Sequence, residues 1–147
     1  MTRDSERGSA LVLALMAMTL LATLGGALVM QTSTETAIAA SFRDGLAAFY
    51  AAEGALEAGM ASVAGAPDWQ ALVSSLPVSP DPAWRALAVP PPTAGMTVDV
   101  RVRLASTPGL LELSASAATP RGARRTVQAT ISRAGEGIRR LFWREER

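Results

Sequence analysis

The chain has 147 residues, 14 of them basic and 13 acidic, a formal net charge of +1 and no cysteine or histidine. Every basic residue is arginine. That inventory excludes disulfide frameworks, thiolate or imidazole zinc sites, and the serine–histidine, cysteine–histidine and serine–lysine nucleophilic pairs. The near-neutral balance argues neither for nor against a polyanionic partner.

The first eight residues, MTRDSERG, are polar, with Arg3 and Arg7 preceding an apolar run. Ser9 to Met30 carries no charge, and the next charged residue is Glu35. A bilayer core about 30 Å thick is crossed by roughly 20 apolar residues in a helix, so the run suffices for one crossing. Its expected packing residues, against lipid or other helices, are Leu11, Leu13, Leu15, Leu20, Leu21 and Leu24. The flanking arginines favour a cytoplasmic N-terminus. A secretory signal peptide is the competing reading, but the run exceeds the usual core of about 7–15 residues. Its candidate cleavage pattern, Ala37-Ile38-Ala39, also lies well beyond the run.

No proline interrupts the segment from Gly8 to Ala64. Beyond Glu35, apolar residues recur at Ile38, Phe42, Phe49, Leu56, Met60 and Val63, spacings that share one helix face. The expectation is a single helix on the order of 80 Å long, at about 1.5 Å per residue. Residues 9–30 form its all-round apolar half and residues 31–64 its one-sided half. Ile38, Phe42, Phe49, Leu56 and Met60 are then expected to pack against a folded domain. Gly25-Gly26 is the expected weak point, since glycine in a helix costs about 1 kcal/mol relative to alanine.

Glu6-Arg7-Gly8-Ser9-Ala10-Leu11-Val12, followed by a long apolar helix, resembles the class III signal of type IV pilins and pseudopilins. Ser41-Phe42-Arg43-Asp44 and Ala48-Phe49-Tyr50-Ala51-Ala52-Glu53-Gly54-Ala55-Leu56 are similar to the N-terminal region of PilX-type minor pilins. The resemblance runs from Glu6 to Met60, and Gly122–Gln128 is more weakly similar to the last strand of such proteins. It implies a pilin-like α+β fold, a long helix on a small antiparallel sheet. It also implies that residues 1–8 are a leader, cut by a prepilin peptidase between Gly8 and Ser9, with Ser9 the (usually methylated) mature N-terminus. Implied partners are other minor and major pilins, the inner-membrane assembly platform and membrane lipid.

Two positions depart from the major pilins. Ser9 stands where they carry phenylalanine, and Leu13 stands at the fifth mature position, where they carry glutamate. A carboxylate in hydrocarbon is costly without a partner. A subunit lacking it avoids that cost but forgoes pairing with a neighbour's N-terminal amine, which suits a tip or priming subunit better than a repeating one.

Residues 65–95 hold seven of the nine prolines and read as a linker. Two helical turns fit within it, Asp68 to Val73 and Asp81 to Leu87, each capped by its aspartate. Trp69 and Trp84 are the expected anchors of this linker. Residues 96–134 alternate in polarity in three runs separated by turns at Thr107-Pro108-Gly109 and Thr119-Pro120-Arg121-Gly122. They predict a three-stranded antiparallel sheet with one apolar face for the helix to cover. Residues 135–147 form a basic tail, read as a short amphipathic helix or as a terminus folded back on the sheet. Its aromatics and arginines leave nucleic acid open without indicating it.

No constellation for catalysis, cofactor or metal emerges, and no small-molecule substrate is implied. Arg101, Arg103, Arg124 and Arg125 make at most a modest basic patch on a solvated sheet face. The expected function is a structural one: a minor pilin acting in priming or at the tip of a type IV pilus. It is held in the bacterial inner membrane, with a periplasmic domain, before reaching the cell surface. The alternatives are a minor pseudopilin of a type II secretion system and a signal-anchored periplasmic scaffold or binding protein.

Overall fold

The computed structural model describes residues 3–66, 69–76, 83–92, 94–135 and 137–146. The chain divides into two compact units, Met1–Ser41 and Phe42–Arg147. Helix α1, Arg3–Ala64, contributes to both.

In the first unit the helix persists through a polar band that follows Met30. The hydroxyls of Thr32, Ser33, Thr34 and Thr36 donate to carbonyls three or four residues back, at Leu28, Met30, Met30 and Thr32. Gln31 Nε2 donates to Glu35 Oε1 at 3.1 Å, one turn on. Hydroxyl side chains compete with helix when they bond elsewhere on the backbone; here they bond within it. Inside the apolar run Thr19 and Thr23 do the same, donating to the carbonyls of Met16 and Leu20. Neither of these two hydroxyls needs water, which a bilayer would not provide.

The second unit places the rest of α1, a short helix α2 (Trp69–Ser75) and five strands together. The strands are β1 (Arg85–Leu87), β2 (Thr97–Leu104), β3 (Leu110–Ala118), β4 (Arg124–Ala134) and β5 (Gly137–Glu146). They form one antiparallel meander in the order β1-β2-β3-β4-β5. Alternation decides which face is covered: Val100, Val102, Leu111, Leu113, Ala115, Ala117, Val127, Ala129 and Ile131 are all buried, and their neighbours in sequence are not. The β2–β3 turn needs a residue in the left-handed region, which Gly109 provides at φ 82°. Gly135, at φ 62°, does so where β4 turns towards β5.

Three expectations need correction. The sheet has five strands rather than three, because segments flanking residues 96–134 pair onto both its edges. Residues 85–87 are strand β1, not a helical turn: Arg85, Ala86 and Leu87 stand opposite Val102, Arg101 and Val100. Once an extended partner is present, ladder hydrogen bonds outweigh a weak local helical preference. The third is the tail: it folds back on the sheet as β5, so the amphipathic-helix reading is the one that falls. Its apolar residues cluster instead of alternating because a bulge interrupts the ladder between Thr130 and Ile131 of β4. The two proposed capping residues, Asp68 and Asp81, and Pro82 lie outside the described residues.

Candidate membrane helix and subunit-contact surfaces

The expected cleavage pair, Gly8 and Ser9, lies within α1. From Ser9 onward this is the one described helix long and apolar enough to cross a membrane, and its most apolar window has no buried residue. Leu11, Leu13, Leu15, Leu20, Leu21 and Leu24 are all exposed, from 55% at Leu15 to 69% at Leu21. Fully burying one leucine side chain is worth about 1.5–3 kcal/mol, so six together demand lipid or other helices.

In the second unit α1 buries a face that the large apolar residues do not mark. Ala48, Ala51, Ala52, Ala55, Leu56 and Val63 are buried, and Phe49 and Met60 are half-buried against the same core. Ile38 and Phe42, expected to pack on the sheet, are instead exposed at 63% and 68%. At about 100° per residue, the buried face is turned from the expected one by roughly a fifth of a turn. Leu56 and Val63 fall in both. The physical reason is the short distance between helix and sheet. A Cβ placed on Gly59 would meet Val100 Cγ1 at 2.8 Å and Leu113 Cδ2 at 3.5 Å, so only small residues fit along that line. Sequence reasoning missed the stripe because it weighed apolar size; the signal was Ala48, Ala52, Ala55 and Gly59 at spacings of four, three and four.

Turning the small residues inward leaves Phe42, Leu46 and Tyr50, each four residues apart, on the exposed side of the helix. Phe49 meets Trp143 of β5 edge-on, with ring centroids 6.2 Å apart. Among the described residues two ion pairs tie the helix to the sheet side: Arg121, in the β3–β4 turn, to Asp44 at 3.2 Å, and Arg140 of β5 to Glu57 at 2.8 Å.

The two tryptophans of the linker anchor it differently. Trp69 is buried in the core, whereas Trp84 lies under the Arg103 guanidinium, 4.3 Å from its ring centroid. Arg103 also holds Glu112 through Nε and Nη2, at 2.7 and 2.6 Å. It belongs to the solvated sheet face, where Trp84, Arg101, Arg103, Arg124, Gln128 and Arg144 line a shallow cavity of about 400 Å³. Arg101 pairs with Asp99 and Arg144 approaches Glu146, so three of the four arginines there have an acidic neighbour. Such a surface is polar but largely self-neutralised, a poor counter-ion for a polyphosphate. Among the described residues no three acidic, histidine or cysteine side chains gather to hold a metal.

The PilX N-terminal family matches residues 7–57. No curated protein and no solved structure matches the chain. The matched segment covers the uncharged run and continues through Ala48, Ala51, Ala52 and Leu56, so it includes the uncovered helix and the first part of the face that seats the sheet. The PilX family is structural, and pilins work by contact with other pilins. The match over residues 7–57 supports a PilX-type type IV pilin, and the apolar N-terminal helix with a small antiparallel sheet is consistent with a pilin-like α+β fold.

Proposed function

We propose that the protein is a minor pilin that primes assembly or stands at the tip of a type IV pilus. Prepilin peptidase removes residues 1–8 by cutting between Gly8 and Ser9. The apolar helix then holds the subunit in the inner membrane, N-terminus in the cytoplasm and sheet domain in the periplasm. On assembly the helix leaves lipid for a bundle formed by the same segments of other subunits. One apolar surrounding replaces another, so packing between helices decides the outcome. Leu11, Leu13, Leu15, Leu20, Leu21 and Leu24 are the contacts exchanged. The sheet domain meets other minor and major pilins, and the inner-membrane platform drives the transfer. The reading requires no reaction, cofactor or metal.

The observation that carries this reading is the uncovered run from Leu11 to Leu24, which the chain's own fold leaves without a partner. Leucine at position 13 supports the priming or tip role over a repeating one. Co-expression with a prepilin peptidase, followed by intact mass measurement, tests it. The expected product begins at Ser9 and is membrane-bound. A full-length product, or one cut beyond Met30, overturns it.

A further inference from the structure

Helix α1 covers one face of the sheet, and the lengths of the side chains shape the other. The register sets Arg101, Ser114, Gln128 and Arg144 side by side across β2, β3, β4 and β5. One row on, Asp99, Ser116, Thr126 and Glu146 align in the same way. The inner strands therefore present the short hydroxyl side chains of Ser114, Ser116 and Thr126, all half-buried. Long side chains stand on β2 and β5, about 14 Å apart at three spacings of about 4.8 Å. The cavity of about 400 Å³ is thus a trough, with a floor of hydroxyls between guanidinium walls.

Both walls are held before any ligand arrives. Arg103 is fixed by Glu112 and stacked on Trp84, and Arg144 donates to Gln128 Oε1 at 3.1 and 2.6 Å. Arg101 pairs with Asp99 at 2.6 Å. Arg124, at the end of the trough away from Glu112, is exposed and has no acidic neighbour among the described residues. The trough therefore carries one uncompensated guanidinium, enough for one carboxylate and too little for a polyphosphate. Trp84 is the one apolar side chain in its lining, so an apolar peptide would find no pocket there.

We propose that this trough binds a uronate unit of a linear polysaccharide. The carboxylate is held by the Arg124 guanidinium, whose flat pair of donors matches its two oxygens. The sugar hydroxyls exchange hydrogen bonds with Ser114, Ser116 and Thr126, each of which can donate and accept. Walls already fixed lose little freedom on binding, which matters for a ligand with so little charge. The trough is shallow and does not enclose a free sugar, so affinity grows as the chain continues along it. The site is on the face away from α1, so binding there does not depend on the helix entering a fibre.

The test titrates tetragalacturonate into the full chain by calorimetry, in an uncharged polyoxyethylene detergent that itself carries no sugar. The expected result is saturable binding, roughly tenfold or more tighter than that of galacturonic acid or of neutral maltotetraose. Arg124→Ala should weaken it by roughly tenfold, and Arg124→Lys by less, since lysine keeps the charge without the fork. Ser116→Val fills the floor and removes a hydroxyl, and should also weaken it. Arg43→Ala removes the same charge from an exposed position on α1 and should leave binding unchanged. Far-UV circular dichroism checks that each variant is folded; should Ser116→Val not be, the two changes at the exposed Arg124 carry the test. Absence of binding, equal binding of the monomer or of maltotetraose, or equal losses in Arg43→Ala and Arg124→Ala would overturn the proposal. So would tighter binding of a DNA oligonucleotide that Arg124→Ala also weakens.

Discussion

Gly59 and Val100 mark the point of closest approach between helix and sheet: a Cβ on Gly59 would stand 2.8 Å from Val100 Cγ1. Val100 is buried and β-branched, so it has no free rotamer to retreat into. Gly59→Ala should therefore destabilise the domain despite alanine's better helix propensity. Overpacking of about 1–3 kcal/mol, less a propensity gain of about 1 kcal/mol, leaves a net loss of about 0–2 kcal/mol. Urea unfolding followed by tryptophan fluorescence measures it. Combining Gly59→Ala with Val100→Ala should cost less than the two changes added, because the second opens room for the first. Gly54→Ala is the control. Its nearest neighbour, Pro92 Cβ, is at an ordinary 3.5 Å, so that change should be neutral or mildly stabilising.

Leu56→Ala and Phe42→Ala separate the buried face from the exposed one. Leu56 is 1% exposed, and truncating such a residue costs about 2–5 kcal/mol. Phe42, at 68%, should change stability by less than about 0.5 kcal/mol. Equal losses in the same unfolding assay would mean that the helix seats on the sheet through the other face.

What the sequence displayed and what it hid divide along physical lines. The uncharged run and the alternation in β2, β3 and β4 are visible because each is a periodic demand of one environment, lipid or a half-buried sheet. The packing face of α1 was obscured because alanine favours helix at every position and so does not announce where it is buried. Strand β1 is three residues long and follows prolines, too short to establish a period. Strand β5 loses its alternation at Leu141, where the bulge shifts the register. The turn into β5 did leave a signal in the two glycines, 135 and 137, that follow β4 in the sequence.

Arg103 tests whether the linker is held by the solvated face of the sheet. Its guanidinium grips Glu112 through two nitrogens and covers Trp84 at 4.3 Å. Lysine keeps the charge but loses both the fork and the flat stacking surface. Arg103→Lys should cost about 0.5–1 kcal/mol and shift the emission of Trp84 towards that of solvated indole. Arg101→Lys alters an exposed pair with Asp99 and should do neither. An unchanged spectrum in Arg103→Lys would show that Trp84 does not depend on that arginine.

Leu13→Glu distinguishes a priming or tip subunit from a repeating one. The substitution puts a carboxylate at the fifth residue after the proposed cleavage point, inside an apolar run whose side chains the chain does not cover. In the bilayer an ionised group near the helix centre costs about 2.5–3.5 kcal/mol, less where it can reach the interface. A repeating subunit recovers that cost by pairing with the amine of the next helix, whereas a subunit used once has no such neighbour to rely on. For the role proposed here, Leu13→Glu should leave peptidase processing intact and reduce the amount of this chain in sheared fibres. Leu13→Gln separates polarity from charge and should produce a smaller loss. Quantitative immunoblotting of sheared fibres and immunogold labelling along them provide the readouts. If the glutamate variant entered fibres more readily and labelled their shafts, the missing carboxylate would be what keeps the native subunit out of the shaft, and its restriction would not reflect a position built for it.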